Sequence, residues 1–167
     1  MDRAEQLALM ESRARVAFEA ARLGYFEWDL VQDRFHVSKR MAEMTGIPKG
    51  TGPAERGEIL LRLAHLEDAE RVRAALNRNR SCVGEFEFQF RILRPDTGSL
   101  AWLRCVAQWS SGEDRLIGAV ADLTERKAEE EERAALAAEI DHRVKNILTA
   151  VQSLVAQSAR KTVSLEA

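Results

Sequence analysis

The segment Glu85–Ile92 alternates without exception. Phe86, Phe88, Phe90 and Ile92 take every second position, and Glu85, Glu87, Gln89 and Arg91 take the rest. Successive side chains of a strand point to opposite faces, so this pattern predicts a strand with one buried and one polar face. Pro95-Asp96-Thr97-Gly98 follows and reads as a hairpin turn. Leu100–Trp109 is the next strand, Ser111-Gly112-Glu113-Asp114 turns again, and Leu116–Leu123 is the last. Three strands joined by two tight turns make an antiparallel meander, and whatever this chain folds into must bury the phenylalanine face of that meander.

The middle strand carries apolar residues on both faces. Leu103, Cys105, Ala107 and Trp109 lie on one side, and Trp102 and Val106 share the other with Arg104 and Gln108. A tryptophan on an outer sheet face calls for a cover. The candidate is the segment Met1–Leu23, where Leu7, Met10, Ala14, Ala17 and Ala21 recur at steps of three and four. That spacing predicts a helix with a heptad seam, packed on the next domain or on a twin helix, and closed by Gly24.

Between helix and meander, short strands are expected at Tyr25–Leu30 and Phe35–Ser38. A helix over Lys39–Thr45 should end at Gly46 and Pro48, followed by a loop over 48–57. Ile59–Ala64 reads as a short helix and Leu66–Asn79 as a longer one, with Leu66, Ala69, Val72, Arg73 and Leu76 placing an apolar stripe on one side. From Glu125 to about Lys161 there is neither proline nor glycine, and one long helix is expected. Its stripe of Leu136, Ile140, Val144, Ile147, Val151 and Leu154, broadened by Leu148 and Val155, suits the core of a helical bundle.

The chain has 167 residues, room for one ordinary domain plus an extended helix. Its net charge is -2, which excludes a broad basic field for nucleic acid or an anionic membrane. No run approaches the ~20 apolar residues of a membrane span. Cys82 and Cys105 form no CxxC, and His36, His65 and His142 lie far apart, so no metal site is expected. Two structural thiols and no membrane segment point to the cytoplasm.

Four strings in order resemble the PAS family. Gly24-Tyr25-Phe26-Glu27-Trp28-Asp29-Leu30 resembles a PAS first strand. His65-Leu66-Glu67-Asp68 resembles the H-P-x-D start of the long helix, with leucine where proline is usual. Trp102-Leu103-Arg104 resembles the W-[LI]-R of the penultimate strand. Asp122-Leu123-Thr124-Glu125-Arg126-Lys127 resembles the D-[IL]-T-x-R-K that ends the domain and launches a signalling helix. The resemblance implies an α+β fold: a five-stranded antiparallel sheet with flanking helices, an N-terminal amphipathic helix and a long C-terminal signalling and phosphoacceptor helix. It divides the chain into a cap or dimerisation helix at 1–23, a sensor domain at 24–124, a helical linker at 125–139 and the start of a phosphotransfer helix at 140–167. It also implies signal coupling through Trp102, Asp122, Thr124 and Arg126. An Asp122–Arg126 ion pair is conceivable at i,i+4 spacing.

His142-Arg143-Val144-Lys145-Asn146 resembles the phosphoacceptor box of HWE-type histidine kinases and their close relatives. By the residues alone, His142 stands two positions from both Ile140 and Val144. It is therefore turned about 200° from each, away from the stripe. An exposed imidazole on a rigid helix suits a group that must meet a γ-phosphate and then an aspartate. Asp141 is a candidate base or orienting group for its ring. Asn146, one turn on, is assigned by resemblance to supporting phosphotransfer or dephosphorylation. The duller readings are a surface histidine, an exposed acid and solvated cations.

The function implied is the sensory and phosphoacceptor portion of a two-component kinase, a homodimer handing phosphate to a response-regulator aspartate. ATP and Mg²⁺ belong to the ATP-binding domain of the full-length kinase, whose motifs this chain lacks, so alone it should be inactive. No cofactor is expected in this portion. The Asn-Cys-Arg-Phe-Leu-Gln string of flavin-adduct domains is absent, and His65 as a haem ligand would be weak support for haem. Phe26, Trp28, Phe35, Phe88 and Phe90 are candidate linings for a small-molecule pocket, or simply core. The rival reading is a non-catalytic PAS-plus-helix interaction module in which His142 is incidental.

Overall fold

The computed structural model describes residues 2–47, 59–80, 84–110 and 114–163, and their side chains except at 59, 60, 150 and 153–163. The loop expected at 48–57, the turn residues 111–113 and Cys82 lie outside the described residues. The elements are α1 (Arg3–Ala20), β1 (Gly24–Asp29), β2 (Arg34–Val37), α2 (Lys39–Thr45), α3 (Ile59–Leu63), α4 (Leu66–Asn79), β3 (Glu85–Leu93), β4 (Leu100–Ser110), β5 (Arg115–Asp122) and α5 (Thr124–Val163). They form two compact units, Met1–Thr124 and Glu125–Ala167.

In the first unit the sheet order is β2-β1-β5-β4-β3, all antiparallel. The turn at Pro95–Gly98 sets the register of the meander. Gly98 takes φ 68° and donates to the Arg94 carbonyl at 2.8 Å. Leu93 then pairs with Leu100, Arg91 with Trp102 and Phe90 with Leu103. One face of the sheet gathers Phe26, Phe90, Ile92, Leu103, Cys105, Leu116 and Val120, and α2 and α4 close it with Met41, Met44, Val72 and Leu76. Burying each such large side chain contributes ~1.5–3 kcal/mol.

Each helix boundary has a local cause. Ser38 caps α2 by accepting from the Met41 N–H at 3.2 Å, and Gly46, at φ 72°, closes it in the left-handed region. His65 caps α4, its Nδ1 accepting from the Glu67 N–H at 3.4 Å.

Two expectations are corrected, those on Gly24 and on Leu66. Gly24 does not close α1. Arg22 takes the left-handed position at φ 55°, and Gly24 opens β1, where a Cβ would lie 2.7 Å from that of Met41. The seam of α1 is not buried in this chain: Leu7 and Met10 are exposed, and the helix meets the sheet through Phe18, whose ring lies 5.2 Å from that of Tyr25. The cover of Trp102 is not shown to be α1; the Arg91 guanidinium lies over its ring at 5.5 Å. Leu66 is 91% exposed and stands off the apolar side of α4, because it occupies the first helical position.

Candidate functional site

The transition from β5 into α5 is held by its own side chains. Asp122 Oδ1 accepts from the Thr124 N–H at 2.8 Å and from the Thr124 hydroxyl at 2.5 Å. A carboxylate there satisfies an amide that the first turn of a helix leaves without a partner. Thr124 Oγ1 in turn accepts from the Trp102 N–H at 3.0 Å, and the Trp102 carbonyl accepts from the Leu123 N–H at 2.8 Å. Trp102, Asp122 and Thr124 are thus brought together. Arg126 is not with them: its Nε donates to Glu130 at 3.0 Å. The aspartate is thus engaged at the helix start and Arg126 with a glutamate one turn on.

Farther along, α5 carries His142. The ring is exposed, and the Asn146 amide nitrogen lies 3.5 Å from Nδ1, one turn away on the same face. Arg143 pairs with Glu139, and Thr149 donates to the Lys145 carbonyl at 2.8 Å. Asp141 is exposed, about 100° round the helix from His142. Leu136, Ile140, Val144, Ile147, Leu148 and Val151 are 48–63% exposed, so this apolar stripe is uncovered among the described residues. Exposure alone therefore does not single out His142; its angle from the stripe and its Asn146 neighbour do.

The aromatic residues proposed as pocket lining sit in the core. Phe26, Phe35 and Phe90 are buried and Trp28 and Phe88 pack against them. Phe26 stacks on Phe35 at 5.5 Å, and Phe88 meets Phe90 at 5.4 Å. The indole N–H groups of Trp28 and Trp109 are buried and meet no acceptor among the described residues. Both tryptophans pair with Leu116, from opposite sides. A separate cavity of about 350 Å³ lies on the outer sheet face beside Phe18, Tyr25, Val106 and Ile117.

Asp68 and Arg91 were not among the residues expected to matter. Asp68 is buried at the start of α4 and accepts from Arg91 through Nε at 3.0 Å, Nη2 at 2.9 Å and the peptide N–H at 2.8 Å. Hydrogen bonding to the Arg91 side chain holds its carboxyl well below the usual carboxylate range. In the sequence Arg91 is an ordinary polar position of an alternating strand, and its place opposite Trp102 is set by the strand register.

Residues 34–120 match the PAS fold family. The chain belongs to the PAS family. Beyond the PAS domain, residues 139–167 match the HWE histidine kinase family, on the segment that carries His142. Among curated proteins the chain is 36% identical over 123 residues to the non-motile and phage-resistance protein of Caulobacter vibrioides, covering 70% of this chain and 14% of that one. It is 35% identical over 111 residues to the blue-light-activated histidine kinase of Brucella ovis, covering 65% and 22%. The chain thus spans less than a quarter of the length of either relative. A sensory box histidine kinase/response regulator from Burkholderia thailandensis shares the PAS fold with a TM-score of 0.62 at 23% identity, over 78% of this chain and 98% of that one. The amino-terminal domain of a diguanylate cyclase with PAS/PAC sensor from Marinobacter aquaeolei does so with a TM-score of 0.54 at 24% identity, over 63% and 98%. Among the described residues no helix is long and apolar enough to cross a membrane, and no group of His, Cys, Asp or Glu is arranged to hold a metal.

Proposed function

We propose that the chain is the sensory and phosphoacceptor portion of a cytoplasmic sensor histidine kinase, with His142 as the phosphoacceptor. The observation that carries the reading is the pairing of His142 with Asn146 on the face of α5 turned from its apolar stripe, within the segment that matches the HWE histidine kinase family. The stripe needs a cover, and a twin α5 in a homodimer supplies one while leaving His142 outside.

A neutral imidazole attacks the γ-phosphorus of ATP through the ring nitrogen that carries a lone pair; ADP leaves, and the ring later yields the phosphoryl group to an aspartate of a response regulator. Asn146 selects the nitrogen. With its amide oxygen toward Nδ1–H, the proton stays on Nδ1 and the Nε2 lone pair faces outward; with its NH₂ there, the tautomer reverses. Asp141 is the candidate acceptor for the proton that the ring releases. ATP and Mg²⁺ are held by the ATP-binding domain of the whole polypeptide.

The test is phosphate incorporation by the full-length gene product with ATP and Mg²⁺, in wild type and His142→Ala. Acid-labile, base-stable phosphate that is lost with His142 is the expected outcome. Incorporation that persists in the variant, or its absence in an ATP-competent wild type, refutes the assignment and leaves the non-catalytic interaction module.

A further inference from the structure

Arg91 and Trp102 face each other across the β3–β4 ladder, on the sheet face turned from the core. The Arg91 guanidinium lies 5.5 Å from the centroid of the Trp102 ring, within cation–π range. The same guanidinium is gripped by the start of α4, through both Asp68 oxygens and through Glu67 Oε2 at 2.8 Å. The grip extends to the main chain. The Arg91 N–H donates to Asp68 at 2.8 Å, and the Arg91 carbonyl accepts from the His65 N–H at 2.8 Å. On its far side, Trp102 holds the entry to α5 with both of its peptide groups, through Leu123 and Thr124.

We propose that Asp68 and Arg91 are positioning residues that tie the start of α4 to the Asp122–Thr124 entry of α5, with Trp102 as the joint between them. The physical links are continuous. Asp68 is buried on the same helix as Val72 and Leu76, which are core residues, so a rearrangement of the core that moves α4 moves Asp68. Arg91 follows, because a planar guanidinium held at two points cannot pivot freely. Its placement over the ring then changes the hold on Trp102, whose peptide keeps Leu123 and Thr124 in place. Because it concerns only contacts within this chain, the inference goes beyond the kinase reading and stands or falls separately from it.

The test is amide hydrogen exchange of the whole chain, read at Leu123 and Thr124 relative to the amides of the β1–β5 ladder. General loss of stability moves both sets together, so the ratio isolates coupling. Arg91→Ala, Asp68→Asn and Trp102→Ala should each speed Leu123 and Thr124 by about five- to tenfold relative to the ladder. Arg91→Lys, a milder change that keeps the charge but loses the flat fork, should move the ratio less and in the same direction. Asp68→Asn added to Arg91→Ala should bring no further rise, since Asp68 acts through Arg91. Lys39→Gln, which breaks an exposed ion pair with Glu43 on α2, should leave the ratio unchanged. The proposal is overturned if Leu123 and Thr124 track the ladder amides in the Asp68, Arg91 and Trp102 variants, or if the two clamp substitutions add in full.

Discussion

Replacing Asp68 by asparagine keeps the shape of the side chain and removes its charge. The carboxylate is buried and accepts three bonds from Arg91, with Arg71 a further 3.2 Å away. Asparagine retains one acceptor oxygen, enough for the Arg91 N–H, and turns an NH₂ toward the guanidinium. Breaking a buried ion pair costs ~3–5 kcal/mol, but Arg91 keeps Glu67 and is a quarter exposed, so the expected loss is about 2–3 kcal/mol. For a unit of this size that lowers Tm by roughly 6–12 °C. Urea unfolding followed by tryptophan fluorescence measures it, since Trp28, Trp102 and Trp109 all lie in the first unit. The pH dependence carries the sign. The folded pKa is depressed, so the wild-type advantage is fully present above the unfolded carboxylate range. Below about pH 4 it should shrink by about 1.4 kcal/mol per pH unit. An advantage under about 0.5 kcal/mol at pH 7, or one unchanged between pH 7 and pH 3, would refute the assignment of that stability to the Asp68–Arg91 pair.

Gly24→Ala should destabilise the PAS domain by about 1–3 kcal/mol, because its Cβ would meet Met41 and part β1 from α2; the urea midpoint reads this. Cys105 is buried, and burial pushes its thiol up to about 12. In a Cys82→Ser background a disulfide reagent at pH 8 should label Cys105 only after unfolding, and labelling at the rate of a free thiol would contradict the burial. Leu7→Asp should weaken self-association in sedimentation with little change in the PAS unfolding midpoint, since Leu7 is exposed in the single chain; an unchanged dimer would remove α1 from the interface.

Strict alternation and two turn strings were enough to lay out the meander. The hairpin at Pro95–Gly98 was legible as a turn; its register came with the structure, where the left-handed Gly98 leaves the flanking strands one way to pair. The bounds of α2 and α4 were equally legible, since their caps are local: Ser38 and Gly46 at α2, His65 at α4. The His142–Asn146 relation follows from helix geometry alone.

Other positions escaped because their roles are set by distant neighbours. Gly24 looked like a helix terminator and is a contact point for Met41, which is far along the chain. Leu66 fitted the apolar spacing of α4, yet at the first helical position it stands 91% exposed. Trp102 announced that something must lie over it, and only the folded sheet showed that this is Arg91, a residue that reads as an ordinary polar position in an alternating strand. The sequence by itself determined the strands, the bounds of α2 and α4 and the face on which His142 stands, all of which follow from periods and short-range sterics. The tertiary structure alone decided that a buried aspartate, an arginine and a tryptophan from three elements meet beside the start of α5, because side-chain hydrogen bonds and stacking depend on which surfaces the packed sheet brings within a few ångströms.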